Sequence, residues 1–298
     1  MLNIIGRKSI FLSFSGILVL ASVVAIGIFG LRPGIDFTGG TQWQIQLSDS
    51  NLEAQPIQDL FADLGVQNVL VQRETTNGSF IIKLPPLSEE TRQEYAQKIE
   101  ERFGAFESLR FESIGPSIGS RLRSRAILAT IFVLIAISLY IAFSFRKVSY
   151  PVKSWKYGLV TLATLFHDVI VPTGVLAVLG YTSGVEIDTN FIVALLVVVG
   201  FSVHDTIVVF DRIRENVLLG RGRAFEETVN ESINQTIARS INTSFTLVLV
   251  LLAMFFVGAA SLKLFVLIML IGTLLGTYSS IFVASPLLTL WHEFGKSK

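Results

Sequence analysis

The chain has 298 residues, 51% of them hydrophobic and 16% charged, against roughly a quarter charged in an ordinary soluble domain. The formal net charge is +1 with no long basic run, which argues against nucleic-acid binding. Cysteine is absent, so disulfides, thiolate zinc sites, iron–sulfur clusters and cysteine nucleophiles are excluded together.

A hydrocarbon core about 30 Å thick takes roughly 20 apolar residues in a helix, because unpaired backbone groups are too costly to leave in lipid. Six stretches meet that requirement. The first, 9–31, carries no charge, follows Arg7 and Lys8, and ends at Arg32 and Pro33 without a small-residue cleavage pattern, so 1–31 is expected to be an uncleaved anchor. The membrane region 126–298 then holds five further spans at 126–145, 157–179, 189–210, 241–258 and 264–290, with 211–240 read as a cytoplasmic loop. Positive charge in the short loops sets orientation. An N-terminus on the inside places Arg7, Lys8, Arg146, Lys153, Arg212, Arg214 and Arg239 on the cytoplasmic side and leaves Lys263 alone in the short outer loops. Arg121, Arg123 and Arg125 run against that vote, just before the second span.

Between the first two spans, 32–125 is polar and long enough for one small extracytoplasmic domain. Its segment 41–47 alternates as a strand, and 52–64 carries Ile57, Leu60, Phe61 and Leu64 at helical spacing with Gly65 as its stop. Strands are expected at 66–73 and 79–84 around a turn at Asn77 and Gly78. Ser88 opens an acidic-first helix ending near Gly104, and 107–114 reads as a last strand. The order β-α-β-β-α-β is that of a ferredoxin-like α+β domain. With no histidine and with scattered carboxylates, it reads as a binding or mechanical unit rather than a catalytic one.

Charge inside the spans is the most informative feature, since an ionised side chain at mid-helix costs about 2.5–3.5 kcal/mol on insertion scales. Asp168 in the third span and Asp205 in the fourth are the two carboxylates so placed, each preceded by histidine, as His167 and His204. Each pair either glues helices together or holds a proton. Entering the fifth span, Gln235, Arg239, Asn242, Thr243 and Thr246 recur in steps of three and four and share one helical face, which must meet protein or water. Arg239 and Asp205 reach similar depth, so a protonatable acid facing a fixed cation is one reading, and snorkelling of Arg239 to headgroups is the other. Gly272, Gly276, Ser280 and Ala284 form a smooth ridge for close packing in the last span. A metal site would need ligands beyond the His-Asp pairs, and the remaining histidine, His292, lies far along the chain. Ser202 sits near Asp205, yet nothing supplies an oxyanion hole for a protease. Neither a metal, a cofactor nor an enzymatic activity is expected.

Three motifs carry a family resemblance. The segment VVGFSVHDTIVVFDRIREN at 198–216, GIDFTGG at 34–40 and RSINTS at 239–244 closely resemble diagnostic segments of the SecD/SecF family, and the order of one span, an outer domain and five spans extends the likeness over the whole chain. The resemblance implies a membrane-embedded six-helix bundle, half of an exporter of the resistance-nodulation-division kind. It implies SecD as partner beside the SecYEG translocon in the bacterial inner membrane, with both termini cytoplasmic. The implied work is proton-driven movement of unfolded protein chains. It assigns the proton relay to Asp205 and Arg239 and marks Gly34, Asp36, Gly39 and Gly40 as a hinge motif and Asp211, Arg212, Arg214 and Glu215 as a cytoplasmic motif; His167, Asp168 and His204 stay, from their place in the spans, as a candidate second polar site. Six spans are half of such an exporter, which is why a partner is needed. A small-molecule exporter half and a non-conducting scaffold of the translocon are the competing functions.

Overall fold

The computed structural model describes residues 2–48, 52–74, 78–146, 152–219 and 223–296. It divides into two compact units, Pro33–Ile127 and Met1–Arg32 joined with Leu128–Lys298.

The smaller unit contains helix α2 (Ile35–Thr38), strand β1 (Gly40–Leu47), α3 (Ala54–Asp63), β2 (Leu70–Arg73), β3 (Phe80–Leu84), α4 (Glu89–Phe103) and β4 (Phe106–Ile114). The strands form an antiparallel sheet in the order β2-β3-β1-β4. Alternation in β1 sends Trp43, Ile45 and Leu47 to the same side as Phe80, Ile82 and Leu84 of β3, and Ile57, Leu60 and Phe61 of α3 with Ile99 of α4 cover them. A bulge between Gln44 and Ile45 shifts the register against β4.

Helix α4 starts where Ser88 accepts a hydrogen bond from the Thr91 amide at 3.2 Å, and it stops at Gly104, whose φ of +83° closes the last turn. In its first turn the Arg92 guanidinium, with help from the Gln93 amide, holds the Glu89 carboxyl down at about 2. The strand expected from 66 begins only at Leu70, because Asn68 sits at φ +59°, a left-handed conformation that breaks extended pairing. The expected turn at Asn77 falls partly outside the described residues. On its described flanks, the Gly78 amide donates to Glu74 O at 3.0 Å and the Glu74 amide to Ser79 O at 2.8 Å.

Among the described residues six helices are long and apolar enough to cross a membrane, all in the larger unit except the first part of the second, which belongs to the smaller. They are α1 (Lys8–Phe29), α5 (Pro116–Ser144), α6 (Ser154–Ser183), α7 (Thr189–Leu219), α8 (Phe225–Val257) and a last span built of α9 (Lys263–Ser279), a π-helical turn (Ser280–Ala284) and α10 (Ser285–Lys296). Helix α5 begins at Pro116 rather than near 126, with proline at the first helical position, where its missing N–H costs nothing.

The larger difference concerns 211–240, expected as a loop. Helix α7 continues to Leu219 and α8 starts at Phe225, so the described part of that stretch is almost entirely helical. Phe210 and Ile213 on α7 and Phe225, Val229 and Ile233 on α8 repeat at helical spacing and join one apolar cluster, which carries the helices past the charged boundary. Charge there marks a change of surroundings, not of secondary structure.

Candidate functional site

Asp168 is completely buried on α6. Its Oδ1 lies 2.8 Å from His167 Nδ1, and its Oδ2 accepts from Ser202 of α7 at 2.5 Å and from Ser279 of α9 at 2.8 Å. Pro172 stands one turn later in the same helix and lacks the N–H that would have met the Asp168 carbonyl, so the backbone is loosened where the acid sits. His167 is also buried, and its Nε2 has no hydrogen-bond partner among the described residues.

Asp205 is 3% exposed and lies on α7 about one turn beyond Ser202. Ser244 of α8 donates to Asp205 Oδ2 at 3.5 Å, a long contact, and Ser244 in turn meets Thr277 of α9 at 2.5 Å. Ser240, one turn before Ser244, is buried with its hydroxyl beside Asp205, though outside hydrogen-bond geometry with any of the described residues.

The structure therefore brings together some of the expected residues and separates others. His167 and Asp168 form one cluster, to which His204 does not belong, because it is exposed on the outer face of α7. Asp205 faces α8, but among the described residues no ion pair joins it to Arg239. The reason is helical phase: Arg239 precedes Ser240, and one residue turns the side chain by about 100°. Ser240 points inward while Arg239, Gln235, Asn242, Thr243 and Thr246 are all exposed along one stripe of α8.

Arg239 instead lines a groove of about 360 Å³ with Asp211, Arg212, Glu215, Gln235 and Thr236. The motif at 211–215 is tied along α7 by Arg212 to Glu215 at 2.6 Å and Arg214 to Asp211 at 3.7 Å, and across to α8 by Arg212 to Gln235 at 2.5 Å. Asn216 adds bonds to Ser232 at 2.8 Å and Gln235 at 2.9 Å.

In the smaller unit, Asp36 stands in the first turn of α2. Gly39 has φ +78°, and a Cβ there would come within 2.7 Å of Pro116 Cα, while a Cβ on Gly119 would meet the Gly39 nitrogen at 2.8 Å. These glycines allow one backbone to lie on another. Gly34 has an extended backbone that any residue could adopt.

Sequence reasoning missed Ser279, Ser244 and Thr277 as partners of the acids, and it considered Ser202 only as a nucleophile. A signal was present for Ser279: it adjoins Ser280 on the small-residue ridge. That ridge does pack on α7, since a Cβ on Gly276 would lie 2.8 Å from Ser202 Cβ and Gly272 abuts Val198.

Comparison with known proteins yields consistent matches. The family described as "Protein export membrane protein SecD/SecF, C-terminal" matches residues 94–294, and "SecD/SecF GG Motif" matches 24–50. The Protein translocase subunit SecF of Thermobaculum terrenum is 43% identical, over 98% of this chain and 95% of that protein. The SecF subunit of Synechocystis is 34% identical, over 95% and 92%. The crystal structure of SecDF, a translocon-associated membrane protein from Thermus thermophilus, superposes with a TM-score of 0.84 at 34% identity. It covers 98% of this chain, which spans only 39% of that longer one.

Proposed function

Since the chain belongs to the SecD/SecF family of protein export membrane proteins, we propose that it works as the smaller partner of SecD beside SecYEG, using the proton-motive force to help draw unfolded chains across the bacterial inner membrane. The observation that carries this reading is Asp205, a carboxylate buried among the hydroxyls of α8 and α9 next to a polar stripe on α8 that a single chain leaves uncovered. A stripe containing Arg239, Gln235 and Asn242 is costly against lipid, so its place is against a second bundle or a water-filled path. The SecDF of Thermus thermophilus, which this chain matches over 37% of that protein's length, supports SecD as the second bundle.

In this reading Asp205 exchanges a proton with water reached along the Arg239 groove. When Asp205 is neutral, α7 and α8 pack as they are seen here; when it is ionised, Arg239, next to Ser240 on the helix that Asp205 faces, is drawn toward it, and α8 turns. That is a two-state element a proton gradient can bias. Both termini lie in the cytoplasm and the α+β unit, ferredoxin-like in its strand order, lies outside, where it meets emerging chains or the outer part of SecD. Asp205→Asn keeps the shape but cannot cycle a proton. It should assemble with SecD and lose the gradient-dependent part of export from membrane vesicles, as should Arg239→Met. Export at the native rate with unchanged gradient dependence in both variants would reduce the protein to a scaffold.

A further inference from the structure

We propose that His167 and Asp168 hold a second exchangeable proton inside the bundle, separate from Asp205, and that the last span couples the two sites. The inference goes beyond the relay above and does not require Arg239. Asp168 is fully buried, yet it is served by three polar partners drawn from its own helix, α7 and α9. Two opposing effects meet there. An ionised Asp168 beside neutral imidazole would leave a net negative charge in the bundle, which is costly, whereas two serine donors and an imidazole N–H favour the carboxylate. One added proton, resting on the Asp168 carboxyl, makes the pair neutral.

His167 supplies the route. Its Nδ1 faces the acid, and its Nε2 is buried without a partner among the described residues. The same residue lines an open groove of about 640 Å³ between α1, α5, α6 and the last span, walled mainly by apolar side chains such as Leu134, Leu162 and Phe166, with Ser15 as its other polar residue. The wall is otherwise apolar, so water that enters has its polar partners at His167 and Ser15, beside the imidazole. A hydronium ion there gives its proton to Nε2 and becomes water, and the proton on Nδ1 passes to Asp168 Oδ1, which leaves the imidazole neutral in its other tautomer. The groups facing the pair are Ser202 from α7, Ser279 and Tyr278 from α9, with the Tyr278 ring 6.3 Å from the imidazole, and Ser15 from α1, which donates to the Tyr278 hydroxyl at 3.1 Å. Among the described residues no Lys, Arg or Glu bonds to His167 or Asp168, and Asp205 follows Ser202 by one turn of α7.

Coupling runs through adjacent residues of the last span. Thr277 contacts Ser244, which reaches Asp205; Ser279 donates to Asp168; and Ser280 meets Thr206 at 2.8 Å and donates to Ser202 O at 3.2 Å. The π-helical turn begins at Ser280, so the register of backbone bonding changes beside these contacts. A change of charge at Asp168 that breaks the Ser279 bond is felt at Thr277 two residues away.

Infrared difference spectra of the full chain in lipid nanodiscs, recorded while pH is stepped, test this by the carboxylic-acid band of a protonated side chain. Asp205→Asn should remove one titrating band and leave another, and adding Asp168→Asn should remove the second. His167→Gln should move the midpoint of the remaining band by about one pH unit or more. Ser279→Ala should move both midpoints. If the spectrum of Asp205→Asn is unchanged by Asp168→Asn, or by His167→Gln should the double variant not fold, the second site is refuted. If Ser279→Ala moves the Asp168 band alone, the coupling is refuted. Asp205→Asn by itself reports on the first site, so failure of the two readings can be told apart.

Discussion

Both units of the chain bury apolar clusters, but among the described residues only the helical one also buries carboxylates among them. Trp43, Phe61, Phe80, Ile82 and Ile99 fill the core of the sheet unit, while the middle of the helical unit holds Asp168, Asp205, His167 and a run of serine and threonine hydroxyls, and the large apolar residues Phe14, Leu20, Leu128, Phe132 and Phe256 face outward. In water, burying apolar area is what drives folding. In lipid that drive is absent between helices, because the surrounding tails are as apolar as leucine, and close packing and internal hydrogen bonds take over. The sheet unit is thus sensitive to lost volume and the bundle to added volume.

Cutting away volume in the sheet should have the largest effect. Trp43 is fully buried, stacks edge-on against Phe111 at 5.6 Å and Phe106 at 6.0 Å, and donates from Nε1 to Ser108 at 2.9 Å. Trp43→Ala should cost about 3–5 kcal/mol. It would appear as lost amide-exchange protection at Ile45 and Ile82 in the full chain, with the exchange of α6 and α9 unchanged. Protection lost equally in both units would break the contrast.

Adding volume to the bundle comes next. Gly272→Ala places a methyl against Val198 and should cost about 1–3 kcal/mol of helix packing, read as earlier thermal unfolding in nanodiscs. Val198→Ala in the same chain should return part of that loss. Two penalties that simply add would show that the ridge does not rest on α7.

The smallest effect is electrostatic and confined to the surface of α4. Glu89 titrates at about 2, below its ordinary 4.5, chiefly through its bond with Arg92. A lowered folded value means that its contribution is complete above 4.5 and disappears as pH falls through about 2. Arg92→Ala should return the Glu89 titration, followed by carboxyl NMR, most of the way to 4.5 while leaving the sheet intact.

Much of the fold was legible in the chain because the signals are local. Runs of apolar residues mark the spans, alternation marks β1 and β3, and Ser88 with its acidic first turn marks the start of α4. Sequence is a poor guide at 211–240, where charged residues suggest a loop although an apolar stripe continues beneath them. The strand it suggests also runs long at 66–69, where one asparagine in a left-handed conformation ends extended pairing.

At the candidate site, sequence by itself determined which groups are expensive to place in a membrane: Asp168, Asp205 and Arg239 stand out by desolvation cost alone. Which of them face one another was decided by tertiary structure. Ser240 points in and Arg239 out because consecutive helical residues diverge by about 100°, and the phase of α8 is set by its packing on α7 and α9. Ser202 and Ser279 meet at Asp168 from helices distant in sequence. No periodicity within one segment carries that information, since it arises only when the glycine ridge of α9 lets two backbones approach.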